Sequence, residues 1–300
     1  MAALVALVVL SSGPALAFPQ TGYTIENGQL RTRIELESDA FKASPFEVRN
    51  NAILLQAQID GHPVTAMVDN GADISVIDEA TARALGIRLS EWTEQVITPT
   101  SSEGIVRRAH DVTLAVPGQF SINTETMATD LSALSALVGK KVDLVLGAEI
   151  VSNLTVVLDT GTGHIYFKGP GGIDLPDGVS VPLTDNAILD ADLNDHPLRL
   201  SIDLGRLGGP LLTEDAWSRA GLSQLPTVDT EIVDAFGRRN RVKTTRGVEL
   251  TFSHRSVISD VSVSSLPTSC SCDGVIGYET LKAEGILLDL SNKKLTLFGD

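Results

Sequence analysis

A single pattern of residues occurs twice along this 300-residue chain, and the repetition restricts the possible folds more than any other feature. The two copies keep the same order at nearly constant spacing, with steps of 134 residues from Asp69 to Asp203 and 130 from Gly147 to Gly277. The matched blocks are residues 51–54 with 186–189, 60–63 with 194–197, 68–71 with 202–205, 77–86 with 212–221, 142–147 with 272–277, and 158–159 with 288–289. This self-similarity predicts an internal duplication and therefore two similar lobes.

Each copy begins as a β-hairpin that ends in an aspartate. In the first copy, the apolar run 52–59 is followed by the turn residues Asp60 and Gly61 and then by a second run, 64–68, which leads directly into Asp69. Two strand-like runs joined by Asp-Gly are typical of a hairpin. The hairpin therefore presents a carboxylate, followed closely by a glycine, at the end of its second strand.

The remaining pattern is also that of strands. Apolar residues mostly alternate with polar ones, and helical signals are few. Each copy has one helical signal after the Asp-x-Gly loop, at 78–86 and 213–221, where Asp78 or Thr213 is the N-cap and a glycine closes the helix. The sequence therefore predicts an all-β protein.

The loops at 69–72 (Asp-Asn-Gly-Ala) and 203–205 (Asp-Leu-Gly) resemble the catalytic loops of the pepsin- and retropepsin-like aspartic proteases, in the bacterial-type form with two fused retropepsin-like repeats. The hydrophobic-hydrophobic-Gly segments at 145–147 and 275–277 resemble the strand that supports each loop in that family. The resemblance implies a bilobal fold of two duplicated β-barrel-like lobes, with one short helix each and a cleft between them. It also implies a polypeptide substrate and neither metal nor cofactor. The residues that it assigns are the catalytic Asp69 and Asp203 and the loop-supporting Asn70, Gly71, Ala72, Leu204 and Gly205.

The chemistry explains why two such loops are needed. Peptide hydrolysis without a metal or a covalent nucleophile requires one carboxylate to activate water and one carboxylic acid to polarise the carbonyl group. Two aspartates brought close together cannot both ionise, so the pair shares one proton and supplies both roles. The glycine in each loop allows a tight turn and a close approach of the backbone to substrate.

Three residues depart from the family pattern. In the family, a Thr or Ser after each aspartate hydrogen-bonds across to the other loop, but this chain has Asn70 and Leu204 at those positions. Leu204 has no polar group, so one side of the crosslink cannot form. Arg206 replaces a small residue, and its positive charge is expected to lower the pKa values of the pair. Two alternatives to an acid endopeptidase therefore stay open: an inactive relative that binds a peptide or a partner in the cleft, and a purely structural scaffold.

Two further segments bear on the site. Residues 159–161 spell Asp-Thr-Gly, but Asp159 follows the Val-Leu-Gly segment and its matched residue is Asp289, so we interpret Asp159 as a turn residue. Polar, turn-rich stretches at 98–104 and 234–240 occupy the interval that holds the flap hairpin in the family. An ordinary exposed hairpin explains these stretches equally well.

The predicted organisation comprises an N-terminal extension and two lobes joined by a linker. Residues 1–17 combine an apolar run with Ala-Leu-Ala, which is typical of a signal peptide and predicts a periplasmic or secreted protein. Residues 18–50 are predicted to pack on the first lobe. The predicted lobes span residues 51–168 and 180–300, and the Gly- and Pro-rich segment 169–179 is the predicted linker.

Charge and cysteine content limit the possible partners. The formal net charge is −15, so phosphate repulsion disfavours nucleic acid, and anionic lipid surfaces are disfavoured for the same reason. After signal cleavage we therefore expect a soluble monomer that binds neither nucleic acid nor membranes. Cys270 and Cys272 are one residue apart and are interpreted either as packing residues or as a local disulfide.

Overall fold

The computed structural model describes residues 33–37, 42–97, 103–171, 173, 178–184, 187–234, 236–264 and 271–299. The first part of the chain contains the strands β1 (Arg33–Leu36), β2 (Ser44–Arg49), β3 (Ala52–Ile59), β4 (His62–Val68), β5 (Val76–Asp78), β6 (Glu94–Ile97), β7 (Glu103–Val116), β8 (Phe120–Thr129), β9 (Leu144–Leu146), β10 (Thr155–Asp159) and β11 (His164–Lys168). The second part contains β12 (Val179–Thr184), β13 (Ile188–Leu193), β14 (His196–Ile202), β15 (Leu211–Thr213), β16 (Val228–Val233), β17 (Arg239–Phe252), β18 (Arg255–Ser264), β19 (Gly274–Ile276), β20 (Gly285–Asp289) and β21 (Lys294–Phe298). The predicted all-β class is confirmed.

Short helices are more numerous than the predicted one per lobe. The two expected helices are α1 (Glu79–Ala84) and α4 (Glu214–Arg219), and the side chains of Asp78 and Thr213 cap them as predicted. The sequence interpretation missed four further elements because they begin without a capping side chain and are too short to show a 3.6-residue period. These elements are α2 (Ser132–Val138), α3 (Ala148–Val151), α5 (Tyr278–Leu281) and a 3-10 turn at Leu222–Gln224.

The two predicted hairpins form with the same geometry. Strand β3 pairs with β4 and strand β13 pairs with β14, and each turn has two residues with positive φ. In the first turn these are Asp60 (φ 50°) and Gly61 (φ 79°), and in the second they are Asn194 (φ 50°) and Asp195 (φ 62°). Two consecutive left-handed residues match the twist of the flanking strands, which explains why Asp, Asn and Gly occur there.

Each hairpin delivers its aspartate onto a supporting strand. Strand β4 pairs in parallel with β9, and β14 pairs in parallel with β19. The Asp69 N–H donates to the Leu146 carbonyl at 3.0 Å, and the Asp203 N–H donates to the Ile276 carbonyl at 2.9 Å. The backbone of both aspartates is therefore held by the hydrophobic-hydrophobic-Gly segments.

A shared antiparallel sheet joins the lobes. Its strand order is β2–β11–β10–β20–β21–β12, and the central pair β10–β20 comes from different lobes. In that pair Val157 lies opposite Leu287, the residue at the matching position of the predicted repeat. One cluster of buried side chains extends through both lobes and this sheet. Together these features define a bilobal fold.

The predicted outer segments are covered only in part. Residues 1–17 and, within the predicted linker, residues 172 and 174–177 lie outside the described residues, so the signal peptide stays a prediction. Within the extension 18–50, strand β1 pairs with β8 and strand β2 pairs with β3, so both are part of the sheets of the first lobe. Cys272 is disulfide-bonded, whereas Cys270 lies outside the described residues. Across the described ranges, no helix has the length and apolar character needed to cross a membrane.

Candidate active site

The structure brings the two predicted aspartates together. The side chains of Asp69 and Asp203 hydrogen-bond to each other, although the residues are 134 positions apart in sequence. Their backbone surroundings also match: the Gly71 N–H donates to Asp69 Oδ1 at 2.8 Å, and the Gly205 N–H donates to Asp203 Oδ1 at 2.8 Å. The pair is therefore symmetric at the level of the backbone.

The two glycines permit this approach. A Cβ atom on Gly71 would lie 2.6 Å from Asp203 Oδ2, and a Cβ atom on Gly205 would lie closer still to the Asp69 carboxyl. Each carboxyl group thus packs directly over the glycine of the opposite loop. No other residue leaves room for this contact, because real Cβ atoms do not approach their neighbours so closely.

Asn70 makes the crosslink between the loops by itself. Its Nδ2 donates to the Ile202 carbonyl at 2.8 Å, and its Oδ1 accepts from the Leu204 N–H at 2.7 Å. The side chain of Leu204 is fully buried and apolar, so the reciprocal crosslink is absent, as its residue type requires. Ala72, also among the predicted supporting residues, accepts at its carbonyl from the Ala148 N–H at 2.7 Å. The loops are therefore tied together, but asymmetrically.

Electrostatics at the pair favour one shared proton. Burial raises the pKa of Asp69, and the neighbouring Asp203 carboxyl raises it further. The hydrogen bond from the Gly71 N–H lowers this pKa and so opposes both effects. Burial also raises the pKa of Asp203, but the Gly205 N–H and the positive charge of Arg206 act in the opposite direction. The hydrogen bond between the carboxyls raises the pKa of Asp69 and lowers that of Asp203. These effects favour a pair that holds one proton between its two carboxyl groups.

Arg206 lies where the sequence predicted a cation beside the pair. Its Nε donates to the Gly209 carbonyl at 3.0 Å, which holds the side chain within its own loop. Its backbone carbonyl and the start of its side chain pack against Gly277, where a Cβ atom would lie 2.5 Å from the Arg206 carbonyl oxygen. The cation acts on one carboxyl of the pair, Asp203, and so makes the two lobes electrostatically different.

The turn-rich stretches form hairpins that meet each other. Strands β6 and β7 pair in the first lobe and β16 and β17 pair in the second, while residues 98–102 lie outside the described residues. The ring of Phe236 lies over Gly104 so closely that a Cβ atom there would collide with it, and Gly237 packs on Ala133 of α2. The second-lobe hairpin therefore contacts the first lobe, but a flap function stays a prediction.

Asp159 is a turn residue, as predicted. Its Oδ1 accepts from the Thr162 N–H at 3.0 Å, and its matched residue Asp289 accepts from the Asn292 N–H at 3.0 Å. Among the described residues, no group of three or more His, Cys, Asp or Glu side chains could hold a metal ion. The sequence interpretation did miss Glu149, a buried carboxyl beside the Asp69 loop. A signal was present, since Glu149 is a charged residue within an otherwise apolar run.

Comparison with known proteins agrees with this geometry. Residues 55–150 match the family model described as aspartyl protease. Among solved structures, the chain is similar to the aspartic proteinase from Irpex lacteus, with a TM-score of 0.52 and 11% sequence identity over 85% of this chain and 96% of that one. No curated protein matches the chain in sequence.

The fold is therefore that of the pepsin-like aspartic proteinases. The family-model match at residues 55–150 lies within the first lobe and agrees with this fold.

Proposed function

We propose that this protein is an aspartic endopeptidase in which Asp69 and Asp203 form the catalytic dyad. The observation that carries the proposal is the hydrogen bond between the two carboxyl groups, each held by its own glycine N–H and packed on the glycine of the other loop. Paired carboxyls that share one proton supply a general base and a general acid in one site. A purely structural role would not require two buried carboxyls to face each other.

The reaction uses one ionised and one protonated carboxyl, and we assign these roles to Asp203 and Asp69. Ionised Asp203 removes a proton from the attacking water, whose oxygen bonds to the carbonyl carbon of the scissile peptide. Asp69 donates its proton to the carbonyl oxygen, so the tetrahedral intermediate is a neutral gem-diol. Protonated Asp203 then gives its proton to the amide nitrogen, and ionised Asp69 takes a hydroxyl proton from the gem-diol as the C–N bond breaks. The products are a carboxylic acid and an amine, and the pair returns to its starting protonation. Arg206 supports this assignment because its charge favours ionised Asp203.

The test is hydrolysis of an unfolded protein substrate by the purified chain between about pH 3 and pH 7. We expect a bell-shaped pH profile, because one carboxyl must be ionised and the other protonated. Asp69→Asn and Asp203→Asn should each abolish hydrolysis. Asp159→Asn is the matched control and should retain it, since Asp159 only closes a turn. Loss of hydrolysis in a folded Asp159→Asn variant would reassign the catalytic aspartate.

A binding protein with the same cleft is the second candidate. It is favoured by Leu204, which removes one of the two crosslinks. Binding of a peptide or of a statine-type transition-state mimic without hydrolysis anywhere in the tested pH range would establish this candidate. If neither hydrolysis nor binding occurs, the structural scaffold is what remains.

The setting of the activity is part of the same proposal. The leader-like residues 1–17 support export to the periplasm or to the outside of the cell. The matched contacts of the two lobes support an internal duplication that supplies both halves of the site within one chain. Such a chain needs no second copy to complete its dyad, so we propose that it acts as a monomer.

A further inference from the structure

Glu149 is a buried carboxyl that the proposed reaction does not use. It lies in α3, two residues after Gly147, and only 8% of its surface is exposed. Its Oε1 accepts from the Ser75 N–H at 2.8 Å. Its Oε2 is buried and has no hydrogen-bond partner. A half-satisfied carboxyl in such a place requires an explanation.

The contacts of Glu149 lead directly to the Asp69 loop. Ser75 ends the loop that begins at Asp69, and its Oγ accepts from the Gly147 N–H at 2.9 Å. A Cβ atom on Gly147 would lie 2.6 Å from the Ser75 nitrogen and 2.5 Å from Glu149 Oε2. The end of the loop is therefore held between a glycine backbone and the Glu149 carboxyl.

The environment favours the neutral carboxyl. Burial raises the pKa of Glu149 to about 7, and the charge of Asp73 adds to this increase. Hydrogen bonding from Ser75 lowers the pKa and so opposes both effects. Asp73 is exposed and belongs to the same loop. Ionisation would leave a charge on an oxygen without a partner in a buried place, which is costly. In the neutral form, Oε2 carries the proton and Oε1 keeps its bond to Ser75.

We propose that Glu149 is a positioning residue that acts in its neutral form, holding Ser75 against Gly147 and thereby fixing the loop that carries Asp69. This inference rests on the proposed function, since it assumes that Asp69 takes part in the reaction. If Glu149 acts in this way, the position of the Asp69 loop depends on the ionisation of a buried carboxyl that is not part of the dyad. The second lobe differs here, because the matched Glu279 accepts instead from Asn51 Nδ2 at 2.6 Å.

The test compares Glu149→Gln, which stays neutral at every pH and keeps an oxygen acceptor, with the matched control Glu279→Gln. The first measurement is the thermal unfolding midpoint between about pH 4 and pH 8 and does not depend on catalysis. The wild type and Glu279→Gln should both lose stability as the pH rises through about 7, and Glu149→Gln should lose clearly less. Equal pH dependence in all three proteins would overturn the proposal.

The second measurement is the pH profile of kcat. Glu149→Gln should keep kcat in acid within about threefold of wild type and should shift the basic limb of the profile to higher pH. Glu149→Ala, which removes the acceptor, should lower kcat about 10- to 100-fold with little change in KM. A folded Glu149→Ala variant with wild-type kcat would refute the positioning role. If the wild type itself does not hydrolyse substrate, the proposed function fails, whereas the unfolding curves still decide whether neutral Glu149 secures the loop.

Discussion

At the scale of single residues, the Asp69 loop and the Asp203 loop are joined by the side-chain amide of Asn70. The resemblance to the family implies two hydroxyl groups, one from each loop, in this role. Asn70 has both a donor and an acceptor, so one side chain bonds to the Ile202 carbonyl and to the Leu204 N–H at once. Leu204 contributes packing in place of the second crosslink, and its side chain is fully buried. The geometry of the pair therefore depends on a single residue, which makes that residue the most sensitive point outside the aspartates.

Asn70→Ala should remove both cross-loop hydrogen bonds, so the two carboxyl groups remain but are less precisely aligned. We expect kcat to fall about 100-fold, because small misplacements of reacting groups are costly, and unfolding to become easier by about 1–3 kcal/mol. Steady-state kinetics and urea unfolding measure the two effects. Asn70→Thr is the control, since its hydroxyl can also donate and accept, and it should recover part of the rate. Wild-type kinetics in Asn70→Ala would show that the crosslink does not position the pair.

Arg206→Ser should change the acid side of the pH profile. The guanidinium charge lowers the pKa of Asp203, so its removal raises that pKa and the acid limb should move to higher pH. Arg206→Lys retains the charge and should keep the limb near its wild-type position. The pH dependence of kcat/KM provides the comparison. If Arg206→Ser and Arg206→Lys shift the limb equally, the effect of Arg206 is not electrostatic.

At the scale of elements, the supporting strands work because their glycines let a loop cross directly over them. In the first lobe, a Cβ atom on Gly147 would lie 2.6 Å from the Ile74 carbonyl carbon and from the Ser75 nitrogen. Both are backbone atoms, so the loop cannot yield by a change of side-chain rotamer. In the second lobe, Gly277 faces the carbonyl oxygen of Arg206 in the same way. The same strand-loop contact therefore occurs twice with different neighbours.

Gly147→Ala should therefore displace the Asp69 loop. We expect a loss of about 1–3 kcal/mol in unfolding free energy together with a large loss of activity, because added volume in a packed site forces backbone shifts. Gly161→Ala is the matched control: its nearest atom would be Asp159 Oδ1 at 3.4 Å, an ordinary contact. Chemical denaturation and kinetics on both variants test this. Equal stability of the two variants would show that the loop adjusts without cost.

At the scale of the whole molecule, the lobes are joined by a sheet to which both contribute, with strands β10 and β20 at its centre. The site lies where loops from the two lobes meet, so the relative position of the lobes determines how the carboxyl groups face each other. The burial of Asp69, Asp203 and Glu149 makes the stability of the entire fold depend on pH. Each of these groups has a raised pKa in the folded state.

The protein should be most stable in mildly acidic solution. A folded-state pKa above the unfolded value means that the native state binds protons more tightly, so stability falls as the pH rises from about 4 through about 7. The opposite holds for Glu47, whose pKa is lowered by Lys140 and Arg49, and its contribution disappears as the pH falls below its folded pKa. Thermal unfolding across pH should give a maximum between these limits. Asp69→Asn should flatten the decline on the basic side, and a wild-type maximum at alkaline pH would contradict this account.

The sequence by itself determined much of this protein. Local rules sufficed for the all-β class, the two hairpins and the capped helices α1 and α4, because turn residues, caps and alternation act over a few neighbours. The order of the repeated blocks sufficed to reject Asp159. The matched spacing of Asp69 and Asp203 also indicated that the two loops belong together. The residue type alone showed that Leu204 could not form a crosslink, because its side chain has no polar group.

Only the tertiary structure decided how these pieces meet. Asn70 makes two hydrogen bonds to the opposite loop, with residues 132 and 134 positions away in sequence. No local pattern encodes the distance or direction of these contacts. Glu149 resembled any polar residue in a short apolar segment until its burial and its bond to Ser75 became visible. The helices α2, α3 and α5 were too short to show periodicity and depend on surrounding packing. Protonation also depends on burial and on neighbouring charges, which exist only once the chain has folded.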